Sequence, residues 1–113
     1  MAEALRLLSK PKSFDGTEAH WIEWKFSFMA FLGAIDDTMV KETLEAMIAA
    51  APIKLAGMAD DATRKRAALM FSLLAQLWSK RAAVLLRLVE TGNGYEAMRR
   101  METRINEEAP GRR

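Results

Sequence analysis

A chain of 113 residues, 50% apolar and 28% charged, can build one modest core and is too hydrophobic for a disordered segment. It has no cysteine and one histidine, His20, which excludes disulfides, Cys-based zinc knuckles, thiol nucleophiles and multi-histidine metal sites within these residues. The net charge of +2 hides a polarity: residues 1–62 carry 6 Lys/Arg against 10 Asp/Glu (−4), and residues 63–113 carry 11 against 5 (+6).

Ala, Leu and Met dominate the aliphatic residues, and no stretch alternates with period two. The fold expected is all-α, a compact orthogonal or up-down bundle of about four to six helices. No apolar run approaches the roughly 20 residues that span a bilayer, and the N-terminus does not read as a signal peptide, so a cytoplasmic location with no membrane partner is expected.

Residues 2–10 read as a short amphipathic turn or helix bearing Leu5, Leu7 and Leu8, interrupted by Pro11. Residues 1–13 form an N-terminal segment, 14–108 the helical domain and 109–113 a basic tail. Two of the three tryptophans and four of the five phenylalanines fall between Lys12 and Leu32. Asp15-Gly16 marks a turn with Phe14 as its buried anchor. Thr17 is placed to N-cap the first long helix, with Glu18 in its first turn. Trp21, Trp24, Phe28, Phe31 and Leu32 share one face, and Ile22, Phe26 and Met29 an adjoining one. Such a wide apolar arc predicts a central helix touched from two sides, with Gly33 near its end.

Asp36-Asp37 predicts the cap of a second helix reaching about Ala50, striped by Met39, Val40, Leu44, Met47 and Ile48. Pro52 ends it, and Ile53 to Ala59 reads as a loop with at most a short helical turn. A third helix starts at Asp60 or Asp61 and carries Leu69, Met70, Leu73, Leu74, Leu77 and Trp78 in period. Whether it continues through Val84, Leu85 and Leu88 or breaks near Ser79 stays open, because no proline or glycine marks a break. Thr91-Gly92-Asn93-Gly94 is a stop. A last helix, about Tyr95 to Asn106, aligns Tyr95, Met98, Met101 and Ile105.

The candidates for chemistry read as structure. His20 lacks further ligands or an oriented nucleophile. The doublets Asp36-Asp37 and Asp60-Asp61 cannot face each other as acid and base along a helix, and capping explains both. Gly92-Asn93-Gly94 lacks phosphate-loop spacing. Candidate nucleic-acid contacts are Arg64, Lys65, Arg66, Arg99, Arg100 and Arg104, but they are not interleaved with aromatic residues. No catalytic residue, cofactor, metal or small-molecule substrate is expected. The aromatic helix reads as core, with a ligand pocket or a partner groove as the alternatives.

Residues 12–36, KSFDGTEAHWIEWKFSFMAFLGAID, resemble the opening of the Gag capsid-like region of copia-type LTR retrotransposons. The elements are the F-x-G turn (Phe14, Gly16), then Trp21, Trp24 and Lys25, the downstream Phe28, and the acidic start of the next helix. Gly94-Tyr95-Glu96-Ala97-Met98 resembles the family's G-x-x-A-W helix start, and Ala109 to Arg113 the sequence that often follows it. Met98 stands in place of the usual tryptophan and Met101 in place of leucine, as in a divergent or decaying copy. The resemblance covers most of residues 10–113; later capsid helices, the CCHC knuckle and the enzymes of such elements lie outside this sequence.

The resemblance implies a non-enzymatic structural protein that self-associates weakly into a shell around element RNA, with RNA binding left to other regions. Its motif and core residues are Phe14, Gly16, Trp21, Trp24, Phe28, Leu32, Leu73, Leu77, Trp78, Tyr95, Met98 and Met101. Two alternatives remain: a helical adaptor that docks one partner in an apolar groove, and a basic RNA-binding module.

Overall fold

The computed structural model describes residues 11–108. Its five α-helices are α1 (Glu18–Ile35), α2 (Asp37–Ile48), α3 (Asp61–Leu77), α4 (Lys80–Leu88) and α5 (Gly94–Glu108), with a single 3-10 turn, Leu55–Gly57, between α2 and α3. No strand occurs among the described residues. The expected N-terminal turn at residues 2–10 and the tail at 109–113 lie outside them.

Aspartates set two of the helix starts. Asp36 is extended; its N–H donates to the Leu32 carbonyl and closes α1, while its Oδ1 accepts from the Thr38 and Met39 amides and opens α2. Asp60 opens α3 by accepting from Thr63 N and Thr63 Oγ1, both at 2.8 Å. Thr17 differs from expectation: it occupies the N-cap position of α1 but its side chain makes no cap bond. Asp15 instead accepts the Thr17 amide at 2.9 Å, a turn bond that draws the carboxyl below its usual range. Gly33 lies within α1, which runs on to Ile35.

α3 and α4 are two helices, and the break between them is tertiary in origin. Phe14 forms a parallel bridge with Trp78: its N–H donates to the Leu77 carbonyl at 2.8 Å, and its carbonyl accepts from the Ser79 amide at 2.8 Å. The loop before α1 thus captures the backbone groups at the break. Trp78 and Ser79 are extended, and Lys80 takes a φ of 50°. Gly16 sits over this joint with a φ of 94°, and a Cβ there would lie 2.8 Å from both Ala82 N and Arg81 Cβ. Only glycine meets both conditions.

The core gathers the aromatic stripe of α1. Trp21, Trp24, Phe28 and Leu32 are buried, and Trp24 stacks on Phe28 at 4.7 Å between ring centroids and on Phe14 at 5.4 Å. Trp78 closes the cluster edge-on at 6.2 Å from both Phe14 and Trp24. Such rings contribute about 1.5–3 kcal/mol each when fully buried.

Among the described residues, packing covers one side of α1, against expectation. Ile22 and Phe26 point outward, Phe26 with 78% of its surface exposed, while Met29 is half-buried. The helix that meets all the others is α5, which packs on α1, α2, α3 and α4. Its first residue makes that possible. A Cβ on Gly94 would fall 2.6 Å from the Met70 carbonyl carbon and closer still to Phe71 N, so a bare α-carbon lets α5 cross the α3 backbone.

Candidate functional site

The residues singled out in sequence converge in space. Phe14, Gly16, Trp21, Trp24, Phe28, Leu32, Leu77, Trp78, Tyr95, Met98 and Met101 are all buried; Leu73 is half-buried at the margin. Met98 is fully buried, so the thioether fills the position with no exposed remainder. Polar groups on α5 then tie this core to its surroundings. Glu102 accepts from Trp21 Nε1 at 2.7 Å and from Lys25 Nζ at 2.8 Å, and Lys25 lies 5.5 Å from the Trp21 ring centroid. Burial pushes the Glu102 carboxyl up, but hydrogen bonds from Lys25, Trp21 and Asn106 and the Lys25 charge outweigh it and hold it below its usual range.

Two carboxylates absorb most of the candidate arginines. Glu42 on α2 receives both Arg66 Nε and a terminal Arg66 nitrogen at 2.8 Å, and the Tyr95 hydroxyl at 2.6 Å. This joins α2, α3 and α5. The Arg66 bond lowers Glu42 against an opposing desolvation, while burial and then Glu42 itself raise the Tyr95 phenol.

Glu96, 2% exposed, is the second. It accepts Arg99 through two nitrogens at 2.7 and 2.9 Å, Arg100 at 2.8 Å and the Ile53 amide at 2.9 Å. Burial alone would raise its pKa. The hydrogen bonds from Arg99, Ile53 and Arg100 win, and it is held at about 2. Asn93, also buried, accepts the Glu96 amide and donates to the Ile53 carbonyl. Together they pin the segment between α2 and α3 to the start of α5. Sequence reading missed this clamp; the Asn93-x-x-Glu96 spacing, a helix-start signature, was its available signal.

Of the remaining basic candidates, Arg64 pairs with Asp61 at 2.6 Å and Arg104 with Glu108 at 3.3 Å, and Lys65 is exposed. His20 is exposed and 3.6 Å from Asp15. Asp36 and Asp60 cap helices, as their spacing implied. No group of three or more His, Cys, Asp or Glu that could hold a metal exists among the described residues. No helix among them is long and apolar enough to cross a membrane.

Two kinds of surface feature remain. One is an open groove of about 590 Å3 beside the Phe14 loop, where Pro11, His20, Glu23, Trp24, Ser27 and Lys80 are among the lining residues. No hydrogen bond joins His20 to Ser27 or Ser79; the Ser79 hydroxyl donates to the Phe14 carbonyl at 3.4 Å. The groove therefore holds a turn and a helix start, without a nucleophile–base pair. The other is a set of large apolar side chains facing outward: Ile22 and Phe26 on α1, Leu44 and Ile48 on α2, Leu69 on α3, and Val84 and Leu88 on α4. Three of these helices repeat the spacing i, i+4, so each presents a ridge. No family model, curated protein or solved structure matches this chain.

Proposed function

We propose that this chain is a non-enzymatic structural domain of Gag capsid-like type that works by weak, repeated contact with copies of itself. The observation that carries the reading is the pattern of exposure. The motif residues Phe14, Gly16, Trp21, Trp24, Phe28, Tyr95 and Met98 are buried, while outward ridges stand on α1, α2 and α4, with Ile48 85% and Phe26 78% exposed. Isolated exposed apolar residues are ordinary, but ridges at helical spacing on several sides of one small domain suit repeated association. Weak contacts of this kind become effective when many act together.

The RNA-binding alternative has less support, since Arg66, Arg99 and Arg100 are each committed to a carboxylate. Light scattering and electron microscopy over a concentration series test the proposal. Oligomers or particles that grow with concentration are expected. A monomer that persists to high concentration and takes up one partner in equimolar ratio would replace self-assembly with the adaptor reading.

A further inference from the structure

Resting on that reading, the geometry points to a specific contact between copies: the outer face of α1 in one molecule docks on the outer face of α4 in another. The two faces are complementary in charge and alike in their apolar ridges.

On α1, the side away from the core carries Ile22 and Phe26, with Glu18 and Glu23 beside them. Both glutamates are exposed and have no ion-pair or hydrogen-bond partner among the described residues. Ala19, Ala30 and Gly33, exposed on the same side, leave room for a helix to approach.

α4 buries Ala82, Leu85 and Leu86 and turns the opposite side outward. That side holds Val84 and Leu88 between Lys80, Arg81 and Arg87, all exposed. None of these three cations has a carboxylate partner among the described residues, in contrast to Arg64, Arg66, Arg99, Arg100 and Arg104. Arg100, whose charge is paired with Glu96, donates to the Leu88 carbonyl at 3.4 Å at the far end of the helix. Glu90 is the nearest acid in sequence, and it is engaged by the Leu55 amide and Asn93.

A nucleic acid would suit the cations of α4 but would be repelled by the glutamates of α1. A second copy of this chain supplies both halves. The apolar ridges would provide the binding energy, and the charges the register and the exclusion of α1–α1 and α4–α4 pairings.

The test uses three full-length proteins: wild type, Glu18→Lys/Glu23→Lys, and Arg81→Glu/Arg87→Glu. All four substituted side chains are exposed and without a partner among the described residues, and circular dichroism with thermal melting checks that each variant folds. Analytical gel filtration with light scattering reads association at low and high salt. Wild type should associate, and more weakly at high salt. Each variant alone should lose affinity by about tenfold or more, and an equimolar mixture of the two should recover it, because each supplies the other's missing sign. Recovery holds whether the contact closes into a dimer or continues head to tail. Wild type and both variants associating equally would overturn this contact and leave self-assembly standing. Failure of the mixture to recover would likewise overturn the pairing of faces. A wild-type chain that stays monomeric throughout would overturn both the contact and the reading it rests on.

Discussion

Replacing Gly94 by alanine tests the packing logic of the fold most sharply. In an ordinary helix position this change is favourable by about 1 kcal/mol, because alanine loses less backbone entropy. Here the added methyl meets the Met70 carbonyl carbon at 2.6 Å, with Phe71 N and Met70 Cγ closer still. Two of those three atoms belong to the α3 backbone, which cannot rotate aside as a side chain can. Overpacking costs typically about 1–3 kcal/mol, and backbone obstruction places this case at the upper end or beyond. After the propensity gain, a net loss of about 2 kcal/mol or more is expected. Gly57→Ala serves as the control, since nothing lies within 4 Å of a Cβ there; it should change stability by no more than about 0.5 kcal/mol. Urea denaturation of both variants, compared through midpoint and slope, gives the two values. A Gly94→Ala protein as stable as wild type would mean that α5 does not cross α3 at that point, and the hub role of α5 would fall with it.

Other expectations are briefer. Trp24→Ala should cost about 3–5 kcal/mol, because the ring stacks on Phe14 and Phe28 and donates Nε1 to the Lys12 carbonyl at 2.6 Å; equilibrium unfolding that shows a loss under 1 kcal/mol would place Trp24 outside the core. The Glu96 clamp predicts an acid-side loss of stability. Its pKa falls from 4.5 unfolded to about 2 folded, so the unfolded chain binds the proton first. The stabilisation is present above about pH 4.5, fades as pH falls toward 2, and amounts to at most about 3 kcal/mol. Glu96→Gln should flatten that part of the stability–pH curve, and an unchanged slope would remove Glu96 as its source.

Much of this fold was legible because local chemistry and tertiary structure agree. The Trp21, Trp24, Phe28, Leu32 spacing marked the buried face of α1, and Asp36 and Asp60 announced the helices they cap. What was illegible depended on distant residues. The break after Leu77 has no proline or glycine because its cause is Phe14, more than sixty positions earlier, bridging to Trp78. The width of the apolar arc on α1 implied two packed sides, but hydrophobicity does not distinguish a core contact from an outward ridge, and Ile22 and Phe26 belong to the ridge. In the same way, Arg66 looked available in sequence, whereas Glu42 occupies it from another helix; the pairing of Arg99 and Arg100 with Glu96, three and four positions earlier on the same helix, was within reach of sequence spacing. The outward faces of α1 and α4 became visible only once the buried sides were assigned.

The contrast between Phe26 and Phe28 tests the central claim, that the core holds the motif while the outer ridges make the assembly. The two side chains are two residues apart on α1, one 78% exposed and the other fully buried. Sedimentation velocity of Phe26→Ser across a concentration series, beside wild type, is the decisive measurement. The expected result is a folded protein with wild-type melting whose association is weakened or abolished. Unchanged association would contradict the assignment of the α1 ridge to self-contact, and loss of folding would contradict the placement of Phe26 outside the core.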